Sequence, residues 1–208
     1  MIILIFYKNA YLYFLKWNRY NVKMNQELYF LRSTEQYLAK ELLLYAVHLD
    51  EKETNLDGYP GLEQYQQHFG SYNGDIGVYI LADGKVAGGA WARILANGIG
   101  HVNHDTPELV LAVKPEFKRK GIGHALMQQL FIEIAKVFPQ VSVSVRDMKP
   151  VISFYEKLGF TRVNDSEHTN AAGISSFIML KIFEKTEKEK EVKHLEEECF
   201  RKSFTPSN

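Results

Sequence analysis

Apolar and polar positions alternate along this chain with two periods, and the switches between them outline its elements. Residues 27–31, "ELYFL", read as a first strand. The following "RSTEQYLAKELLLYAVHL" has Ser33 or Thr34 as a plausible cap and places Tyr37, Leu38, Glu41, Leu42 and Tyr45 at helical spacing. After the loop "DEKETNLDGYPG", the stretch "LEQYQQHF" predicts a second short helix. "IGVYILADGKVAGGAWARIL" is the clearest hairpin, two apolar runs joined through Asp83-Gly84, residue types that tolerate positive φ. "NGIGHVNHDT" reads as a flexible connection into the strand "ELVLAV", and Leu126, Leu130, Ile134 and Phe138 recur one turn apart in a helix over 123–138. "VSVSV" alternates cleanly, which predicts one buried valine face with the serines turned elsewhere. "KPVISFYEKLGF" is a helix with Pro150 in its first turn and Gly159 as its stop, and "ISSFIMLKIF" closes as a strand. The order β-α-α-β-β-β-α-β-α-β means an α/β or α+β fold with a mixed sheet, and no internal repeat is present.

Composition narrows the function classes. The 208 residues suffice for one ordinary domain with surplus at the ends. The 25 basic and 25 acidic residues cancel, so there is no global basic field of the kind nucleic-acid binders carry, and local clusters matter more than the total. The single cysteine, Cys199, sits in a charged tail; it forms no internal disulfide and fits a reducing, cytoplasmic setting. The opening "MIILIFYKNAYLYFLKWNRYNVK" has an uncharged apolar run far too short for a bilayer span and lacks the layout of a secretory signal. With Lys8, Lys16 and Arg19 among aromatics it is either an interfacial helix or an upstream extension. The expected organisation is an extension of uncertain role over 1–23, one domain over 24–183, and a mixed-charge tail over 184–208.

The densest chemistry lies in "LVLAVKPEFKRKGIGHALMQQL", where Lys114, Lys118, Arg119 and Lys120 precede a glycine pair at a helix start. A helix start presents unpaired N–H groups and the positive end of the helix dipole. Gly121 and Gly123 let the backbone approach a bulky anion, and the basic run adds positive potential, which together specify a phosphate cradle. Spacing alone also allows a C-cap, a tight turn or a solvated basic loop. The stretch is not a Walker loop, because GxxxxGK[ST] is absent. Nor is it the dinucleotide fingerprint, whose third glycine position holds Leu126.

Two separate motifs in this order carry a resemblance. Strand, "VKPEFK", "RKGIGHALM", helix, strand and then "KPVISFYEKLGF" resembles the GNAT superfamily of acetyl-CoA-dependent N-acetyltransferases. Its cofactor motif runs Arg/Gln-x-x-Gly-x-Gly/Ala, and its later helix ends in Tyr-x-x-x-Gly-Phe. The resemblance covers roughly residues 27–183 and neither terminal extension. It implies the GNAT acyl-CoA N-acyltransferase fold, a mixed central sheet flanked by helices. It also implies acetyl-CoA as co-substrate, with Leu111, Ala112 and Val113 pairing with the pantetheine arm. The loop and helix start, Lys118, Arg119, Lys120, Gly121, Ile122, Gly123, His124 and Ala125, would hold the pyrophosphate, largely through backbone amides. Lys118 stands where the family has Arg or Gln, keeping the charge but losing the guanidinium fork. Arg119 stands where glycine is common, and Lys149 where Asn usually contacts the cofactor arm.

Amide formation from a thioester needs a neutral amine, stabilisation of an oxyanion and a proton for the departing thiolate. The resemblance implies Tyr155 as general acid toward sulfur and Glu108 as base toward the amine. The helical pattern by itself describes Tyr155 as a packing residue, and charge position by itself equally makes Glu108 a solvated strand-end carboxylate. His101, His104 and Asp105 lie just upstream as alternatives or as a polar loop, and two histidines three apart without further ligands make no metal site. Glu63, Tyr65 and His68 fall where the family shapes its acceptor pocket. The expected reaction transfers acetyl directly to a primary amine of a small molecule or peptide: a polyamine, an amino acid, an aminoglycoside or a peptide N-terminus. The alternatives are a GNAT-fold acyl-CoA-binding module or an interaction scaffold without transferase activity. Neither nucleic acid nor a membrane span is expected, and a homodimer through edge strands near the C-terminus is left open.

Overall fold

A computed structural model describes residues 24–47, 61–169 and 173–184. The N-terminal extension, loop residues 48–60 and the C-terminal tail beyond Glu184, including Cys199, lie outside the described residues. Eight strands form one mixed sheet: β1 (Gln26–Phe30), β2 (Ile76–Ala82), β3 (Lys85–Arg93), β4 (Glu108–Val113), β5 (Gln140–Arg146), β6 (Thr161–Arg162), β7 (His168–Thr169) and β8 (Ser175–Ile182). Their order is β1-β2-β3-β4-β5-β8-β6, with β7 also on β8. Helices α1 (Gln36–Ala46), α2 (Ile122–Ile134) and α3 (Lys149–Lys157) flank it. This is the mixed sheet flanked by helices that the sequence predicts.

The sheet separates two apolar clusters. One gathers Leu109, Leu126, Leu130, Ile134, Val143 and Tyr155 beneath α2 and α3. The other gathers Leu38, Leu42, Leu43, Trp91, Val110 and Ala112 beneath α1, joined by Leu62, Tyr65 and Phe69 from the following segment. Successive β4 side chains therefore enter opposite cores, as the pleat requires. The β2–β3 hairpin turns at Asp83 (φ 50°) and Gly84 (φ 75°), the left-handed pair that matches strand twist.

Several local expectations need correction. The "LEQYQQHF" stretch forms only a short 3-10 turn at Glu63–Tyr65, because its apolar residues turn toward the sheet and backbone carbonyls are taken by side chains. Neither Ser33 nor Thr34 caps α1; a 3-10 turn precedes it, and the Glu35 carboxylate accepts the Arg32 amide instead. The buried face of α1 is Leu38, Ala39, Leu42 and Leu43, while Tyr37 points outward. Ser142, on the face of β5 opposite the valines, is itself fully buried, since β5 is an interior strand covered on both faces. Helix α2 ends at Ile134, one turn before Phe138. Strand β8 is interior too, so the edge at that end is made by the two-residue strands β6 and β7, short enough to blunt pairing with another chain.

Candidate functional site

The sheet opens at one place. Strands β4 and β5 run parallel but share one partnered position, Glu108 with Ser142, beside which the Ser142 amide donates to the Pro107 carbonyl at 3.0 Å. Beyond it β4 continues to pair with β3 through Val113, but no strand faces its other side among the described residues. Backbone groups in that position are a template for an added extended chain. Leu111, Ala112 and Val113, predicted to meet the cofactor arm, are the residues that line this opened edge.

The glycine loop stands at the end of the same strand. Its backbone passes through two left-handed residues, Arg119 (φ 62°) and Gly121 (φ 82°). Glycine occupies that region freely and arginine at some cost, which is a physical reason for glycine at the position Arg119 fills. Gly121 is the N-cap of α2 and supplies no side-chain cap, so the first-turn amides of Ile122 and Gly123, which precede any intrahelical acceptor, are left for a ligand. A Cβ built on Gly121 would meet nothing within 4 Å. One on Gly123 would lie 3.6 Å from Val113, 3.7 Å from Phe154 and 3.8 Å from Leu111. The start of α2, the opened edge of β4 and α3 therefore converge at Gly123. The apolar packing there does not itself demand glycine; close approach of a ligand to the backbone does.

Charges sort into two kinds around this loop. Lys118, Arg119 and Lys120 are exposed, and no carboxylate pairs with any of them among the described residues. Lys120 rests over the Phe117 ring at 5.5 Å. Lys114 is different: its ammonium meets the Glu41 carboxylate at 2.6 Å and lies 5.9 Å over the Tyr45 ring, so its charge is already neutralised. His124 and Ala125 are half-buried on the first turn of α2, and Lys149 is exposed at the start of α3. An anion of several charges fits this set: uncapped amides, unpaired cations and a backbone bare of Cβ at two positions.

Tyr155 is buried on α3, with its ring edge-on to Phe154 at 5.3 Å and to Phe160 at 5.4 Å. Burial drives the pKa of its hydroxyl upward, because a phenolate would have to form out of water. It therefore stays protonated across the physiological range. The packing role and the donor role are compatible: the ring is wedged, and the hydroxyl has no hydrogen-bond partner among the described residues.

Glu108 is not a solvated strand-end carboxylate. It is 3% exposed, and burial raises its pKa to about 7 despite a hydrogen bond from Tyr65 and one from the backbone of Gly100, both of which favour the anion. The Tyr65 hydroxyl donates to Oε1 at 2.8 Å, while Oε2 is buried without a partner among the described residues. Arg93, its cross-strand neighbour on β3, offers no neutralising charge, because its guanidinium is bound to both Asp75 oxygens at 3.1 and 3.0 Å and to the Gln64 and Gln67 carbonyls. The seat also depends on two missing side chains. A Cβ on Gly98 would run into Oε2, and one on Gly100 would lie 2.7 Å from Oε1. "NGIG", read from sequence as a flexible connection, is instead wrapped around this carboxylate.

Glu108 and Tyr155 belong to opposite cores, with the β4–β5 opening between them. Of the three residues predicted near the acceptor, only Tyr65 turns inward; Glu63 and His68 are exposed. His101 holds the Leu95 carbonyl through Nδ1 at 2.9 Å, which assigns the proton to that nitrogen. His104 stacks near it at 5.6 Å, and no group of three or more potential metal ligands occurs among the described residues. Sequence reasoning missed Gly98, Gly100, Arg93 and Asp75. Their signal was a glycine pair and an oppositely charged pair, too common to single out without the fold.

Comparison with known proteins bears on the fold. The family model described as the acetyltransferase (GNAT) domain matches residues 74–162. The fold is similar to that of the ribosomal-protein-S18-alanine N-acetyltransferase from Escherichia coli, at 20% identity and a TM-score of 0.55, over 78% of this chain and 97% of that one. It is similar also to the PaiA N-acetyltransferase from Thermoplasma acidophilum in complex with coenzyme A, at 20% identity and 0.53, over 77% and 100%. A third similar fold is yncA from Salmonella typhimurium with its cofactor acetyl-CoA, at 15% and 0.55, over 78% and 96%. At these identities the likeness is one of fold.

Proposed function

We propose that this protein, whose residues 74–162 match the acetyltransferase (GNAT) domain model, transfers the acetyl group of acetyl-CoA directly to a primary amine of a small molecule or peptide. The observation that carries this reading is the convergence at Gly123: an unpaired strand edge leading to an uncapped helix start beside unpaired cations. That arrangement suits an extended chain ending in a pyrophosphate. The domain is taken to span residues 24–183, with acetyl-CoA as the co-substrate and no metal.

In this reading acetyl-CoA supplies an activated acyl carbon and a thiolate leaving group. The amides of Ile122 and Gly123, with Lys118, Arg119 and Lys120, bind the pyrophosphate, and residues 111–113 orient the pantetheine arm. His124, Ala125 and Lys149 border the same path. Glu108 takes a proton from the incoming ammonium at Oε2, directly or through water, leaving the nitrogen lone pair free to add to the thioester carbonyl. Its pKa of about 7 is well placed for a base at neutral pH. As the carbon–sulfur bond breaks, the Tyr155 hydroxyl offers its proton to sulfur. An ordinary thiol has a pKa near 8.5, so the buried phenol is the weaker acid. Tyr155 thus acts as a hydrogen-bond donor that stabilises the developing thiolate, and full transfer is completed by protons released from the amine.

The test is calorimetric titration of the full chain with acetyl-CoA beside Gly123→Glu, followed by thiol release with spermidine, lysine, kanamycin and an alanyl peptide. Gly123 is the better choice than Gly121, whose positive φ would strain any substitution. Binding by the wild type, loss in the variant and turnover with one amine support the proposal. Absence of binding by a folded wild type sinks it, and binding without turnover over a broad amine panel leaves only a holding module.

A further inference from the structure

The hydroxyl of Tyr65 sits in a chain of hydrogen bonds to which the proposed reaction assigns no role. It accepts the Ile99 amide at 2.7 Å and donates to Glu108 Oε1 at 2.8 Å. The residue that carries it is fixed from both sides: Trp91 Nε1 donates to the Tyr65 carbonyl at 2.8 Å, and Arg93 holds the flanking Gln64 and Gln67 carbonyls at 2.8 and 2.9 Å. The tyrosine itself is 3% exposed. A phenol that accepts an amide proton has one hydrogen left to give, so its direction is set, and that hydrogen goes to Oε1. Among the described residues, Oε2 of the carboxylate is left without a partner.

We propose that Tyr65 is a positioning residue for catalysis, fixing the Glu108 carboxylate by one oxygen so that Oε2 is the atom that accepts the amine proton. This rests on the reading of Glu108 as the base. The strand end alone would leave a glutamate with several rotamers; Tyr65 and the Gly98 and Gly100 backbones leave it one. Among the described residues, the groups facing the carboxylate are few. From the segment before β2 there is Tyr65; from β3, Arg93, bound to Asp75; from the segment before β4, His101, bound to Leu95; and from β5, the uncharged Ser142. Burial and the adjacent carboxylate push the Tyr65 pKa up, so its hydroxyl stays protonated, and a donor, around neutral pH.

The bond from Tyr65 favours the ionised carboxylate, so its loss must make Glu108 harder to deprotonate. The experiment follows the carboxyl stretch of Glu108 by infrared titration of the full chain, assigned by difference from Glu108→Gln. The pH profile of kcat/KM is followed with whichever amine of the panel turns over. Tyr65→Phe is expected to keep acetyl-CoA affinity while moving the Glu108 midpoint and the acidic limb upward by about one to two pH units, with the rate recovering at high pH. Fluorotyrosine at position 65, a stronger donor of the same shape, should move both downward, and it serves if Tyr65→Phe fails to fold. A merely structural tyrosine would alter stability without moving either midpoint, and unmoved midpoints overturn the proposal. Full turnover by Glu108→Gln would instead sink the base reading on which it rests.

Discussion

The glycine loop and the Glu108 seat both depend on glycine, for opposite reasons. At the loop, Gly121 has open space around it and is required by its left-handed backbone. At the seat, Gly98 and Gly100 are required because a carboxylate already occupies the place of their Cβ. The loop is exposed, locally encoded and rich in unpaired charge; the seat is buried, assembled from three distant segments and holds one unpaired oxygen. A charged ligand can be met at the surface by residues adjacent in sequence. A carboxylate with a raised pKa cannot be made there, because water would restore its ordinary value.

The comparison breaks most sharply at Glu108. Glu108→Gln should lower kcat/KM by about two to three orders of magnitude while leaving acetyl-CoA affinity unchanged, since general-base catalysis contributes on that scale. Equal loss of binding would mean the two regions are not separable. Stability should respond in the other direction. With its pKa raised from 4.5 to about 7 by folding, Glu108 binds its proton more tightly in the folded chain. The contribution is full below pH 4.5 and is lost as pH rises through about 7. Denaturant titrations at pH 5 and pH 8 should differ by an amount on the order of 3 kcal/mol at most that Glu108→Gln abolishes.

Gly98→Ala should destabilise by about 1–3 kcal/mol through overpacking, and much of that cost should vanish in the background of Glu108→Ala. Additive effects in that double-mutant cycle would show that the Cβ clash is not with the carboxylate. At the loop, replacing Lys118 and Arg119 together by alanine should raise the acetyl-CoA Kd about tenfold at low salt and less at high salt, read by calorimetry. Lys114→Ala should leave it unchanged, because Glu41 already holds that charge. The smallest effect is at Gly121. Asparagine there should cost less than alanine, by about 1 kcal/mol or below in thermal unfolding, since Asn tolerates the left-handed region and nothing obstructs its side chain.

Most of the fold was legible because its signals are local. The Asp83-Gly84 turn, the Gly159 stop after α3 and the period of α2 each depend on a few consecutive residues, and each stands where the pattern put it, α2 apart from its last turn. The failures share one cause. Tyr37 and the segment after Leu62 were assigned by period alone, and each, like the burial of Ser142, was decided by what packs against it. An interior strand buries both faces whatever its alternation, and a tyrosine in a helical pattern faces outward when smaller residues fill the core.

At the glycine loop the sequence by itself determined the local arrangement: its basic residues, its two glycines and the helix they start are contiguous. It determined also that Tyr155 lies on a helix ending in Gly159. Tertiary structure alone decided that Lys114 is neutralised, that β4 and β5 part after one shared position, and that Glu108 is buried rather than solvated. It alone joined Tyr65, Gly98, Gly100, Arg93 and Asp75 around that carboxylate. The physical reason is that charge and backbone freedom belong to a residue and its neighbours in the chain. Desolvation, and the partners left to a buried group, belong to residues brought together only by folding.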